Sequence, residues 1–291
     1  TMRELAQLYQ EATAQLEQAG IVDAPQEALQ LFGHCLRLGR KDLLLRPDLE
    51  VGEQETGCLA AALARRLARE PLQYITGRRE FWSLDFIVSP AVLIPRPETE
   101  FLLDRVLAVL RRYGYSGGPV LDMCTGSGVI ATLLALELGA GSVIAVDRSR
   151  DALQVAVRNW QKHGQDGVVQ PLCADLFTAF GPEARFELIV ANPPYVAEQD
   201  MALLQPEVRD WEPESALFAG PQGLAIIEQL AGQGHAFLQA GGWLFIEIGA
   251  DQEAEVYSLF AGSPEKRYER VEVLRDWSGR PRVLQARKPG A

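Results

Sequence analysis

The sequence predicts an α/β protein: a mostly parallel, seven-stranded sheet with helices on both faces, preceded by a small helical bundle and joined to it by a β-hairpin. Three observations carry this expectation. From Pro119 onward, short apolar runs of strand length alternate with stretches of helical periodicity. Before Pro71 only the helical period is present. The chemically distinctive residues, Thr125 to Gly128, Asp147, Asp175 and Asn192, each come just after one of the apolar runs, where open α/β sheets bind ligands.

Taken in order, Leu5, Leu8, Tyr9, Ala12 and Leu16 mark one buried helical face, and Gly20 ends that helix. Asp23-Ala24-Pro25 opens a second helix that buries Ala28, Leu29, Leu31 and Phe32. A short helix over Lys41 to Leu45 stops at Pro47, and a longer one runs from Glu53 to Glu70. At Pro71 to Gly77 helix gives way to β-rich sequence, and Arg79 to Trp82 with Leu84 to Val88 reads as a hairpin. Pro95 and Pro97 force an extended arm, and Pro97-Glu98 starts a helix that continues through Leu110. Strands are expected at 120–123, 142–147, 168–172, 186–190, 242–248, 271–274 and 283–287, with helices after Gly128, from Ser149 or Arg150 to His163, and over 224–238 and 254–260. The boundaries fall at 1–75 for the helical part, 76–92 for the hairpin and 93–291 for the α/β part.

The 291 residues, 47% of them hydrophobic, suffice for one large or two ordinary domains with a full core. A net charge of −11 argues against broad affinity for a phosphate backbone and favours a small molecule or a protein as partner. Cys35, Cys58, Cys124 and Cys173 are scattered without a CxxC pair, and His34, His163 and His235 lie far apart. No metal site or disulfide framework is therefore expected, and a cytoplasmic location fits. No run reaches the length of a membrane span, the first residues lack an apolar signal segment, and Thr1 ahead of Met2 reads as a cloning remnant.

The first βα turn, Asp122-x-x-Thr125-Gly126-Ser127-Gly128, lets backbone approach a ligand closely. It lacks the Gly-Lys-Ser/Thr of a phosphate loop and is not a full GxGxxG. Asp147 ends the next strand 19 residues beyond Gly128, close to the spacing of an acid that bonds ribose hydroxyls, so an adenosine-containing ligand is expected. Asp122 at the front of a short turn favours a cationic adenosine cofactor, S-adenosylmethionine, over NAD. Asp175 is placed to accept from the adenine amino group. After the fourth strand comes Asn192-Pro193-Pro194-Tyr195. Two prolines end the strand in a rigid turn. The Asn192 side-chain oxygen and the Pro193 carbonyl can each accept one hydrogen of a planar –NH2 group, and the Tyr195 ring can lie against its plane.

These residues resemble the class I, Rossmann-like S-adenosylmethionine-dependent methyltransferases, in which Asn-Pro-Pro-Tyr marks enzymes that methylate exocyclic or amide nitrogen. Pro71-Leu72-Gln73-Tyr74-Ile75-Thr76-Gly77, Leu93 to Glu100 and Glu212-Pro213-x-x-Ala216-Leu217 look like the bacterial peptide chain release factor glutamine methyltransferase family (HemK/PrmC), over essentially the whole chain. The resemblance implies methyl transfer to the side-chain amide N5 of the glutamine in the Gly-Gly-Gln loop of release factors. It implies a helical docking domain, a monomer, and no direct nucleic-acid or membrane partner. Cofactor contacts would come from Asp122, Cys124, Thr125, Gly126, Ser127, Gly128, Asp147, Asp175, Leu176 and Asn192. Asn192, Pro193, Pro194 and Tyr195 would hold the glutamine, with Asn192, Pro193 and Tyr195 carrying the catalysis, and Arg96 and Glu98 would shape the pocket. Cys124 stands where glycine is usual. Leu176 stands where an aromatic often stacks on adenine, so that stacking is either weaker or supplied by Phe177. Two alternatives are a nucleic-acid exocyclic amine methyltransferase, acting on adenine N6 or guanine N2, and a non-catalytic cofactor-binding protein.

Overall fold

The computed structural model describes residues 3–262 and 267–290; Thr1, Met2 and Ala291, on which the cloning remnant and the outermost domain limits rest, lie outside the described residues. The chain forms two compact units, Thr1–Arg78 with Gln205–Trp211, and Arg79–Leu204 with Glu212–Ala291. In chain order the first stretch holds β1 (Arg3–Glu4), α1 (Leu5–Gln18), α2 (Ala24–Leu36), α3 (Arg40–Leu45), β2 (Glu50–Val51), α4 (Glu53–Leu67) and α5 (Leu72–Thr76). Then follow β3 (Arg78–Phe81), β4 (Leu84–Ile87), α6 (Pro97–Tyr113), β5 (Val120–Met123), α7 (Val129–Leu138), β6 (Val143–Asp147), α8 (Arg150–Lys162), β7 (Val169–Cys173) and β8 (Phe186–Ala191). The chain closes with α9 (Pro206–Arg209), α10 (Ala225–Phe237), β9 (Leu238–Glu247), α11 (Glu253–Ala261), β10 (Glu269–Arg275) and β11 (Pro281–Arg287).

In the helical unit, Leu5, Leu8, Ala12 and Leu16 are all buried, one stripe of α1 packed with Ala28, Leu31 and Phe32 of α2 and Leu59 and Leu63 of α4. Leu29 is only half-buried, one position off that stripe. Pro71 to Gly77, expected to leave helix, instead folds into α5, because Leu72 and Ile75 pack into the core of the bundle, and Gly77 closes the helix at φ 73°. Cys35 and Cys58, far apart in sequence, are neighbours through α2 and α4, and burial with the Cys58 contact pushes the Cys35 thiol up to about 12. Arg66 of α4 is buried and bonds Glu27 of α2 at 2.6 Å and Glu207 of α9 at 3.1 Å. Glu207 also meets Arg69 at 2.7 Å. These shared charges fasten residues 205–211 to the helical unit, a buried cation being tolerable only when so paired.

In the larger unit the seven strands lie in the order β10-β11-β9-β8-β5-β6-β7. β5 to β9 pair in parallel and β11 runs antiparallel between β9 and β10. β5 and β8 are buried at every position, as central parallel strands must be, and apolar except for Asp122 in β5 and Glu187 in β8. The order reverses between them: β5 leads outward to β6 and β7, while β8 begins the other half. That is where such sheets open a ligand crevice beyond their C-terminal edges. The expected strands were short at some ends; β9 begins at Leu238 and β10 at Glu269. The β3–β4 hairpin turns on Trp82 and Ser83, both at positive φ (53° and 57°), the backbone of a two-residue primed turn without its usual Asn-Gly.

Asn159 of α8, fully buried, ties this unit together. Its Oδ1 accepts from Ile87 N at 2.7 Å, and its Nδ2 donates to Ile87 O at 2.9 Å and to Ser127 O at 2.8 Å. One amide therefore holds the end of the hairpin and the glycine turn after β5. Asn159→Ala leaves those backbone groups unpaired and should cost about 2–4 kcal/mol, read as a lower urea midpoint at unchanged m-value.

Candidate active site

The crevice beyond β5, β6 and β8 is a cleft of about 950 Å³, counting its open mouth. Cys124, Thr125, Gly126, Ser127, Asp147, Asp175, Leu176, Asn192 and Pro194 all line it. They are joined there by Ala91, Val92, Leu93 and Pro95 of the proline arm, by Thr99, and by Pro213, Ser215 and Ala216. The residues named come from six separate stretches of chain that converge on one cavity. Asp122, Gly128, Pro193, Tyr195, Arg96 and Glu98 are not on its wall, and their positions are specific.

Asp122 is the brace of the glycine turn. It is fully buried, and its Oδ2 accepts from Thr125 Oγ1 at 2.6 Å and Ala131 N at 3.0 Å. Its Oδ1 has no partner among the described residues. Burial pushes this carboxyl up to about 7, against the pull of those two donors. Gly128 sits at φ 81°, and a Cβ there would stand 2.6 Å from Trp160 Nε1, so only glycine fits. Cys124 also has positive φ (63°), which explains why a glycine suits that position; burial and the nearby Asp147 charge raise its thiol, keeping it neutral.

Asp147, at the end of β6, uses Oδ2 to accept from Gly126 N and Oδ1 to accept from Ser149 N, both at 2.9 Å. Burial raises its pKa, and these backbone donors oppose the shift. Leu176 faces the cleft at φ 47°. Phe177 does not: it is buried in the core and stacked on Phe237, with centroids 4.6 Å apart at 2°. The adenine stacking considered for Phe177 is therefore unavailable, since the left-handed turn at Leu176 sends successive side chains to opposite sides.

The turn after β8 is held from both ends. Val196 N donates to Leu217 O at 2.8 Å, Ala219 N donates to Val196 O at 3.0 Å, and Gln252 Nε2 donates to Tyr195 O at 3.1 Å. Gly223 leaves room for this strap, because a Cβ there would lie 2.3 Å from Tyr195 O. Pro193 is buried and Tyr195 half-buried against the core, its phenol pushed far up by burial and the Glu247 charge. Arg96 is turned to Glu212, which is buried and also accepts from Ile94 N at 3.1 Å. Two of the stretches that carry the family resemblance thus lock onto each other.

Two residues escaped the sequence reading. Asn192 Nδ2 donates to Thr99 Oγ1 at 3.1 Å, and Thr99 Oγ1 donates to Glu247 Oε2 at 2.7 Å. Thr99 sits inside the proline arm between charged Glu98 and Glu100, with no local signal of its own. Glu247 had a signal: it is the one acid in the apolar run from Gly242 to Ile248.

Comparison with known proteins places this geometry. Residues 7–77 match the PrmC N-terminal domain and residues 98–207 match the methyltransferase small domain. The release factor glutamine methyltransferase of Koribacter versatilis is 40% identical over 98% of this chain and 99% of its own. That of Geobacter sulfurreducens is 39% identical over 84% of each. The chain belongs to the release factor glutamine methyltransferase family. A solved methyltransferase from Pyrococcus furiosus, 15% identical, superposes on 79% of this chain and 99% of its own at a TM-score of 0.52, which shows the shared fold alone. Members of the release factor glutamine methyltransferase family are S-adenosylmethionine-dependent, so S-adenosylmethionine is the cosubstrate.

The buried Asp122 has a measurable consequence. Its folded pKa is raised above its unfolded value, so the folded chain binds the proton more tightly and stability falls as pH rises through the window from about 4 to about 7. Relative to Asp122→Asn, the ligand-free protein should lose about 2–3 kcal/mol between pH 5 and pH 8, at ~1.4 kcal/mol per pH unit, in paired denaturant titrations.

Proposed function

We propose that this chain transfers the methyl group of S-adenosylmethionine to the side-chain amide N5 of the glutamine in the Gly-Gly-Gln loop of peptide chain release factors. The observation that carries this reading is the rigid Asn192-Pro193-Pro194-Tyr195 turn, standing beside the glycine turn at the point where strand order reverses, in a chain of this family. The residues present fit the cofactor. Asp122, with its Oδ1 partnerless, stands behind the turn as a carboxyl that a bound cation would draw into its ionised form; Asp147 would offer lone pairs to ribose hydroxyls, and Asp175 on the same cleft wall would accept from the adenine amino group. No atom stands within 4 Å of where a Gly126 Cβ would be, which leaves that backbone open to close approach. Thr125, Ser127 and Cys124 complete this wall, and Leu176 covers it with an aliphatic face in place of a stacked ring.

When bound, S-adenosylmethionine supplies a methyl group on a sulfonium, open to in-line displacement. An amide nitrogen is a weak nucleophile because its lone pair is delocalised. Asn192 Oδ1 and the Pro193 carbonyl each accept one of its hydrogens and aim the nitrogen. Positioning of this kind lowers barriers by up to ~7–11 kcal/mol in favourable cases. The same acceptors stabilise the positive charge that grows on nitrogen as the new bond forms. The extra proton leaves afterwards, so no general base is needed. Tyr195 and Pro194 flank the amide, while Arg96 and Glu98 act from behind the arm, Arg96 through Glu212.

This reading extends to the rest of the chain. The helical unit, residues 1–75 at its core, docks the factor; residues 76–92 link it to the catalytic part, 93–291. One chain carries the cofactor and amide machinery, as a cytoplasmic monomer would. A net charge of −11 disfavours nucleic acid as substrate, and no helix among the described residues is long and apolar enough to cross a membrane.

Radiolabelled methyl transfer to purified release factor, its loop Gln→Ala variant, tRNA, rRNA and DNA tests this directly. Label is expected on the wild-type factor alone. Label confined to nucleic acid would overturn the reading in favour of an exocyclic amine substrate. Asn192→Ala should lower kcat by about 10²–10³-fold, the usual loss when one such electrostatic contact is removed, with cofactor affinity changed far less.

A further inference from the structure

Asn192 can serve as an acceptor only if its oxygen, and not its –NH2 end, faces the substrate nitrogen. The two ends have the same shape, so something must choose between them. The hydrogen count around Thr99 makes the choice. Glu247 ends β9, and the register that pairs Ala191 with Ile246 brings it alongside Asn192. Glu247 and Thr99 are almost entirely buried, at 1% and 2% exposure, so water does not compete for these bonds. An ionised carboxylate only accepts, so Thr99 must donate its single hydroxyl proton to Glu247. The Thr99 oxygen can then only accept, and the group that donates to it is the Asn192 –NH2. Asn192 Oδ1 is left pointing away from Thr99.

We propose that Thr99 and Glu247 are positioning residues that set the polarity of the Asn192 amide, presenting Oδ1 to the substrate's amide hydrogens. This rests on the reading of Asn192 as acceptor of the glutamine amide. A protonated Glu247 reverses the relay. It donates to Thr99, the Thr99 proton becomes free for Asn192 Oδ1, and the amide turns its –NH2 toward the substrate, hydrogen against hydrogen. Burial pushes Glu247 up to about 7, while the Thr99 bond and the Arg282 charge pull it back. The charged and titratable groups facing it are Arg282 from β11, Arg96 and Glu98 at the start of α6, and Tyr195 from the turn after β8. The relay is thus correctly set only on the alkaline side of that value.

The test uses the full chain with release factor and S-adenosylmethionine, measuring kcat, KM and cofactor Kd from about pH 6 to about pH 9. Thr99→Val should lower kcat by about 30- to 100-fold, as for loss of a preorganised contact, with cofactor Kd within about threefold, and Thr99→Ser should restore most of the rate. Wild-type kcat should fall on the acid side with an apparent pKa near 7. Glu247→Gln, nearly isosteric but able to donate or accept, should lose that acid limb and run about 5- to 20-fold slower at pH 8. Should Thr99→Val fail to fold, as judged by circular dichroism, the Glu247→Gln profile decides. An acid limb that persists in Glu247→Gln, or wild-type kcat in Thr99→Val, overturns the proposal. Asn192→Ala separates the two levels: if it stays active the acceptor reading itself is wrong, and if it is dead while the other variants run at wild-type rate only the polarity relay is wrong.

Discussion

The parallel pairing of β5 with β8, Val120 beside Leu188 through Met123 beside Ala191, is the constraint on which the rest depends. Residues about seventy positions apart in sequence end at the same level of one sheet because of it. The glycine turn leaves one strand end and the Asn-Pro-Pro-Tyr turn leaves the other, so both line one cleft without any loop having to reach. Both strands are buried at every position and apolar apart from Asp122 and Glu187, which makes a slip in register costly. Asn159 adds a second tie by bonding the hairpin and the glycine turn through one side chain.

Among the buried carboxyls of this unit, Asp122 and Glu247 are the most deeply buried, and each is pushed up to about 7. A carboxyl in such surroundings opposes stability, and core packing has to offset it. Each stands at the C-terminal end of a central strand and each organises a neighbour. Asp122 holds Thr125 and Ala131, and so the curvature of the glycine turn; Glu247 holds Thr99, and through it Asn192. The pattern is one of buried acids acting on the backbone and side chains that line the cleft, with the cleft surface itself mostly uncharged apart from Asp147, Asp175 and Arg148.

The helical unit is held differently. Its core is an aliphatic stripe packing of α1, α2 and α4, and its charges are shared: Arg66 with Glu27 and Glu207, Arg69 with Glu207. Glu207 belongs to a segment that leaves the larger unit after Leu204 and returns at Glu212. Glu212 is the residue that accepts from Ile94 and pairs with Arg96. The segment that follows the Asn-Pro-Pro-Tyr turn is therefore anchored within the helical unit at one point and within the larger unit at the next.

The fold class, the helical beginning, the strand sequence and the clustering of Thr125, Gly126, Ser127, Asp147, Asp175 and Asn192 were legible from the sequence, because period, glycine and proline act locally and strand ends are where such sheets bind. The reading failed where the deciding contact was distant. Pro71 to Gly77 became a helix through packing in the bundle. Phe177 turned into the core because Leu176 took a left-handed backbone, which no local preference announces. Cys35 met Cys58 only across two helices. Thr99 and Glu247 gained their place beside Asn192 from the pairing of β8 with β9 and the seating of α6, residues 93 and 55 positions from Asn192 along the chain. By itself the sequence determined which residues gather at the strand ends; the tertiary structure alone decided which partner each of them holds, because a hydrogen bond is set by distance and direction in space and not by spacing along the chain.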